Sequence, residues 1–385
     1  MSSAIEQMSH ELAQLKQQNN LRSLPSLVHE EREVVLDNRR MLNLSSNDYL
    51  GLATDKELRK AFLETLTPET FQPSASSSRL LTGNFTVYDR LETELAHLFG
   101  KEAALTFNCG YHANTGILAA VSNAQTLILA DKLVHASLID GIKLSAARSI
   151  RYRHNDYAQL ERLVQENHEK YERIIVVTES IFSMDGDEAD LGALVRLKRS
   201  YPCVLLYVDE AHAFGVRGAG GLGCAEEQGC IADIDMLVGT FGKALASMGA
   251  YVVCSRTLRE YLINKVRPFI FTTALPPVNV AWTLFLLQRL RDFAGLRQHL
   301  SLISGRMREA LVAKGYACPS TSHIIPWVAG ASSEAVALAE AFQRKGFYVL
   351  PVRPPTVPEG TSRLRFSLTA AIDTTEIEQL IKTME

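Results

Sequence analysis

Three short stretches combine residue types that can do covalent chemistry. Val208-Asp209-Glu210-Ala211-His212 sets two acids and an imidazole directly after an apolar run. An acid in that place is costly to bury without a cation or hydrogen-bond donors beside it. Thr240-Phe-Gly-Lys243 ends another apolar run in a lysine among small residues: Gly242, Ala244, Ala246, Ser247 and Gly249. Crowding there disfavours the charged ammonium, as an imine-forming amine requires. Asn108-Cys-Gly110-Tyr111-His112-Ala-Asn114 leads into a helical stretch at residues 115–121. A small residue opening a helix offers N–H groups to an anion such as phosphate. Each stretch alone has a plain reading, as a surface lysine, a turn-forming aspartate or an ordinary helix start. Together they are the parts pyridoxal phosphate needs: Lys243 for its aldehyde, Asp209 for its pyridine nitrogen, and the helix start for its phosphate.

Strands must hold these residues in place. Apolar runs at 103–107, 126–130, 174–178, 204–208, 236–238 and 250–254 alternate with helical stretches such as 158–172 and 191–200. Continuous Val/Ile/Leu strands alternating with helices predict an α/β fold with a mainly parallel sheet covered on both faces. Ligands of such sheets bind at the C-terminal ends of the strands. All three stretches fall at or just after strand ends. Leu91, Leu95 and Leu98 predict a helix over 87–99, and the Ser/Thr/Pro/Gly-rich residues 67–84 read as loop. A long helix is expected over about 280–300, after Pro276-Pro277. The expected organisation is an N-terminal arm (1–44), a large cofactor-binding domain (45–283) and a small C-terminal α+β domain (284–385). In the arm, Ile5, Met8, Leu12 and Leu15 fall at the spacing of an amphipathic helix. His97, His154, His168 and His299 read as surface residues.

Composition narrows the function classes. The 385 residues carry a net charge of −3, which argues against a partner held through nucleic-acid phosphates. No apolar run approaches the roughly 20 residues of a membrane helix, and the polar start lacks a signal-peptide pattern. The six cysteines contain no CxxC pair, so a reduced, cytoplasmic setting is expected, with neither a disulfide framework nor a metal site. A cofactor-binding regulator without turnover is disfavoured, because the N-terminal arm is too short and too little basic for a DNA-binding module. Gly218-Ala-Gly-Gly-Leu-Gly223 has some likeness to a dinucleotide motif, but it reads as loop and does not follow the first parallel strand.

Five stretches resemble the α-oxoamine synthases, a family of fold-type I pyridoxal-phosphate enzymes, and the similarity extends over nearly the whole chain. They are Leu44-Ser-Ser-Asn-Asp-Tyr-Leu-Gly51, Asp131-Lys-Leu-Val-His-Ala-Ser137, Glu179-Ser-Ile-Phe-Ser-Met-Asp-Gly186, Val208–His212 and Thr240–Lys243. The resemblance implies a mainly parallel seven-stranded sheet between helices, a smaller α+β C-terminal domain and a homodimer. It assigns Lys243 to the covalent cofactor link, Asp209 to the pyridine nitrogen and His212 to the ring's phenolic oxygen, with Ser183 near that oxygen. His135 stacks on the ring; Gly110, Tyr111 and Thr240 serve the phosphate, joined by Thr272 and Thr273 from the other subunit. Asn47 and Arg365 hold the amino-acid carboxylate, and Arg22 and Thr356 meet the acyl substrate.

Other readings of these positions stay open: His135 as a helix cap, Ser183 as a turn residue, and Arg363 in place of Arg365. The turn Arg353-Pro-Pro-Thr-Val-Pro358 with Ser362-Arg-Leu-Arg365 is most like members that join L-alanine to a pimeloyl thioester, on coenzyme A or acyl carrier protein, in biotin synthesis. Members using glycine and another thioester are the alternative. The serines at 74 and 76–78 and His112 depart from the family pattern near the expected substrate region.

Overall fold

Unbroken apolar runs become strands in the larger part of the molecule. In the computed structural model, which describes residues 3–384, seven strands form one sheet. They are β1 (Ala103–Phe107), β2 (Thr126–Asp131), β3 (Arg148–Tyr152), β4 (Arg173–Glu179), β5 (Val204–Asp209), β6 (Met236–Thr240) and β7 (Ala250–Cys254). Their order is β1-β7-β6-β5-β4-β2-β3. Strand β7 is antiparallel to both of its neighbours, and all other pairs are parallel. Leu127, Ile128, Leu129 and Ala130 on β2 and Ile174, Ile175 and Val177 on β4 are fully buried. Burial of both faces is why these strands read as continuous apolar runs rather than alternating ones. Strand β3 was not expected from the sequence. It is an edge strand paired only with β2, so Arg148, Ser149 and Arg151 can face solvent.

The parallel register sets Glu179 beside Asp209, and Asp209 beside Val238, at adjoining strand ends. Two helices complete this end of the sheet. Gly110–Ala120 follows β1, and Ala136–Leu144 follows β2. They approach so closely that a Cβ at Gly141 would stand 2.5 Å from the Asn114 carbonyl oxygen. Gly141→Ala should therefore push the helices apart and cost about 1–3 kcal/mol. The check is a lower denaturation midpoint at an unchanged slope.

The chain divides into two compact units, one of residues 55–183 and 188–297, the other of residues up to 54, 184–187 and 298 onward. In the second unit Arg39–Asn43 pairs in parallel with Phe347–Tyr348, so the segment before residue 45 groups with the C-terminal residues. The same unit contains an antiparallel sheet of Ile324–Gly330, Ser362–Ser367 and Pro351–Val352, packed by the helix Ser332–Arg344. The amphipathic stretch near the start is the helix Ala4–Gln17, opened by reciprocal hydrogen bonds between Ser3 and Glu6. Its Ile5, Met8 and Leu12 remain more than half exposed.

Some expectations need correction. The single helix expected over 280–300 is two, Pro277–Leu287 and Ala294–Ala313, with a 3-10 turn at Leu290–Phe293 between them. Arg297 Nη1 donates to the Leu290 carbonyl at 2.7 Å and satisfies a backbone group in the break. The helix expected over 158–172 ends at Asn167. His154 is not a plain surface residue. Its Nδ1 lies 2.9 Å from an oxygen of the fully buried Asp131, and its ring packs on Phe182. His299 is half-buried, with Nε2 2.7 Å from the Ile372 carbonyl.

Candidate active site

The strand ends of the larger unit assemble one polar cluster. Asp209, the last residue of β5, is buried and accepts from Asn114 Nδ2 and the Ala211 N–H, both at 2.8 Å. Those donors meet part of the cost of burying a carboxylate. Its neighbour Glu210 faces elsewhere. It accepts from Ser180 Oγ and from the N–H groups of Cys224 and Ala225, at the start of a short helix. Burial pushes the Glu210 carboxyl up to about 7. Of the two acids read from the sequence, Asp209 therefore belongs to the polar cluster and Glu210 holds a loop.

Lys243 follows β6 and is half-buried, with Nζ 2.9 Å from Nε2 of the buried His212. Thr240, at the end of β6, donates through Oγ1 to the Gly249 carbonyl and accepts from the Gly242 N–H. Gly110 opens its helix beside Thr240. A Cβ built on Gly110 would meet only the Thr240 Cβ, at 3.9 Å, so the helix start is open. The His112 N–H is capped by Cys109 Sγ at 3.5 Å and the Ala113 N–H by the Cys109 carbonyl, while the first two N–H groups of a helix have no acceptor within it. Tyr111 is exposed, and its hydroxyl donates to Asp140 at 2.6 Å.

His135 caps the helix Ala136–Leu144, its Nδ1 accepting from the Ser137 N–H at 3.2 Å. The capping role left open by the sequence is thus real, and it coexists with a place in the cluster. Solvent reaches His135, yet the protein packed around it disfavours the imidazolium and lowers its pKa. The Asp209 charge opposes that shift, and Lys243 adds to it. Glu179, at the end of β4, accepts the backbone N–H of His135. Complete burial pushes the Glu179 carboxyl up to about 8. The Asp209 charge adds to the rise, while Lys243 and the His135 N–H oppose it. Ser183 is buried in the turn after β4. Thr272 and Thr273 lie on a segment that includes the exposed Phe271, and the Thr273 carbonyl accepts from Asn108 Nδ2.

The other unit brings together the remaining positions singled out from the sequence, in two groups. Arg365 donates to Asn47 Oδ1 and to the Tyr49 hydroxyl, both at 3.3 Å, and also to Ser367. Arg363, the alternative on the same strand, is buried in an ion pair with Asp185 and also donates to the Thr361 carbonyl. The structure thereby separates the two arginines. Arg363 is held by a carboxylate, and the half-exposed Arg365 donates to the neutral Asn47 and Tyr49 side chains. In the second group Arg22 Nη2 donates to Thr356 Oγ1 at 2.9 Å. Arg353 donates to the carbonyls of Asn19 and Leu21 and ties the chain before Arg22 to the Pro-rich turn.

Sequence reasoning gave no role to Asn114, Ser137, Glu179 or Tyr207. Each lies in or beside a stretch already noted, but nothing in its type showed which residue it meets.

A half-buried amine, a buried carboxylate with its donors satisfied and an open helix start at Gly110 meet the three chemical demands of pyridoxal phosphate. Such a set on the C-terminal ends of a mainly parallel sheet defines the class as pyridoxal-phosphate-dependent enzymes. The comparisons agree. A family model described as aminotransferase class I and II matches residues 39–384. A protein of Pasteurella multocida provisionally named 8-amino-7-oxononanoate synthase is 56% identical over 376 residues, 97% of each chain. One of Haemophilus influenzae with the same provisional name is 54% identical over 96% of this chain and 98% of its own. Among solved structures, a serine palmitoyltransferase from S. paucimobilis with bound pyridoxal phosphate has a TM-score of 0.90 at 27% identity, covering 99% of this chain and 97% of that one. The 8-amino-7-oxononanoate synthase of Francisella tularensis has a TM-score of 0.77 at 28% identity, covering 89% and 96%. The chain belongs to the aminotransferase class I and II family and, within it, to the α-oxoamine synthases; its cofactor is pyridoxal phosphate.

Proposed function

We propose that this enzyme joins L-alanine to a pimeloyl thioester, with loss of carbon dioxide and the free thiol, to give 8-amino-7-oxononanoate for biotin synthesis. The observation that carries this reading is the 56% identity, along 97% of the chain, to a relative provisionally named for that activity. Pyridoxal phosphate, when bound, supplies an electron-accepting ring for the charge left on the amino acid's α-carbon. Lys243 would hold the cofactor, and its free amine would take the α-proton on Nζ; His212 lies within hydrogen-bond reach of that atom. Asp209 would pair with the ring nitrogen through its carboxylate. Gly110, Tyr111 and Thr240 would receive the phosphate, and Ser183 with His212 would serve the ring oxygen. His135 covers the ring.

Asn47 and Arg365 orient the amino-acid carboxylate, supported by their mutual hydrogen bond. Arg22 and Thr356 take the acyl chain, supported by theirs. We place the enzyme in the cytoplasm as a homodimer, with Thr272 and Thr273 directed to the partner's phosphate. Among the described residues no helix is long and apolar enough to cross a membrane.

The test offers isotope-labelled alanine or glycine with pimeloyl or acetyl thioesters on coenzyme A or acyl carrier protein, and weighs the product. Labelled 8-amino-7-oxononanoate from alanine is expected. Turnover confined to glycine and a short acyl donor would overturn the reading. Arg365→Ala should raise the KM for alanine by about 10²-fold, with a much smaller change in kcat, because it removes a charge-assisted hydrogen-bond donor to the carboxylate.

A further inference from the structure

Five side chains, drawn from β5, the two helices that close at Gly141 and the cap of the second, form a continuous chain of hydrogen bonds that is buried up to His135. The Tyr207 hydroxyl donates to Asn114 Oδ1 at 2.7 Å. Asn114 Nδ2 then donates to Asp209 Oδ2 at 2.8 Å and to Ser137 Oγ at 2.9 Å. Ser137 Oγ lies 2.8 Å from His135 Nδ1. Tyr207, Asn114 and Ser137 are each at most 2% exposed.

Donor counting orients the bonds around Asn114, and the Ser137 backbone N–H orients the last one. The Asp209 carboxylate only accepts, so the Asn114 amide must present its NH₂ group there, and Tyr207 meets the carbonyl side. Both Asn114 hydrogens are then in use, one of them on Ser137 Oγ. The Ser137 backbone N–H belongs to the first turn of its helix and takes His135 Nδ1 as acceptor. Nδ1 can accept only as a bare lone pair, so the ring proton sits on Nε2, and the Ser137 hydroxyl hydrogen also turns toward Nδ1.

We propose that Tyr207, Asn114 and Ser137 are positioning residues that hold His135 as the neutral Nε2–H tautomer and tie it to Asp209. His135 then offers a hydrogen-bond donor at Nε2 and not a base. This deepens the reading of His135 as the residue over the cofactor and rests on it. It makes His135 suited to a substrate oxygen that gains negative charge, such as the thioester carbonyl. The ionisable groups around the ring are Asp209 and Asp140, which favour the imidazolium, Lys243, which opposes it, and Glu179 at the backbone N–H. Protonating Nδ1 would lose the bond from the Ser137 N–H and reverse the one with the Ser137 hydroxyl.

The test is nitrogen NMR of the holoenzyme with labelled histidine, His135 being assigned by its absence in His135→Gln. In the parent protein Nδ1 should resonate as unprotonated and Nε2 as protonated. Ser137→Ala and Asn114→Ala each weaken the donors to Nδ1 and should move the His135 titration up by roughly half to one pH unit. A parent spectrum with the proton on Nδ1 overturns the proposal, as does a His135 titration unmoved by both substitutions. If neither variant folds, the parent tautomer decides. The cofactor's visible absorbance in the same sample reports separately on the cofactor reading, so the two failures are distinguishable.

Discussion

Lys243→Ala is expected to abolish the visible absorbance of lysine-linked cofactor and to lower turnover at least about 10³-fold. On the proposed reading two roles end together: the covalent hold on pyridoxal phosphate and the base that takes the α-proton. The fold should barely respond. Lys243 is only half-buried, and its loop is fixed by backbone bonds, Ala246 N–H to the Lys243 carbonyl and Phe241 N–H to Gly249. Neither bond needs the side chain. The thermal midpoint should therefore stay close to the parent's while activity disappears, which separates chemical loss from unfolding. Borohydride followed by peptide mass analysis should mark position 243 in the parent and nothing in the variant. A variant that kept its absorbance and its turnover would move the amine role elsewhere. Added small amines should restore part of the proton transfer, since His212 and Asp209 remain in place.

The reading from sequence succeeded where one physical rule dominates. Strands β1, β2, β4, β5, β6 and β7 are apolar on both faces, and burial on both faces leaves a continuous run that needs no neighbour to interpret. Asp209, Thr240 and Lys243 were legible because a polar residue ending such a run needs a reason. Where the outcome depended on a distant partner, the sequence was silent. Arg148-Ser-Ile-Arg-Tyr152 looks like no buried strand, and its edge position comes from the sheet order. The break at Leu290–Phe293 contains neither glycine nor proline, and its Leu290 carbonyl is met by a side chain seven residues on. His154 looked like a surface residue until Asp131, 23 positions away, was set beside it. Arg363 and Arg365 are equivalent in pattern, and it is Asp185, 178 positions away, that marks Arg363 as the ion-paired one. Asn114 and Asp209 are 95 residues apart, and His135 and Glu179 are 44 apart. Residue type alone could not have paired them.

Asp209→Asn is expected to keep the shape of the site and lose its electrostatics. The amide cannot hold the ring nitrogen's proton as a carboxylate does, so turnover should fall about 10²- to 10³-fold, the scale for losing one charge from a buried pair. The substitution also reaches the hydrogen-bond chain. One side of the new amide meets the Ala211 N–H and needs an oxygen, which turns its NH₂ toward the NH₂ of Asn114. Asn114 must then rotate and lose its bond from Tyr207, or leave two donors facing each other. Glu179 gives an independent readout. Its pKa is raised first by burial and next by the Asp209 charge, to about 8 from 4.5. A carboxyl whose folded pKa lies above its unfolded one stabilises the fold fully below the unfolded value. That contribution is lost as pH rises through the folded value. Without the Asp209 charge the folded pKa of Glu179 drops and the window of loss narrows. Between about pH 5 and 8 the stability of Asp209→Asn should therefore decline less steeply than the parent's, read from denaturant midpoints across that range. An equal decline in both proteins, with turnover intact, would place the ring-nitrogen partner on another residue.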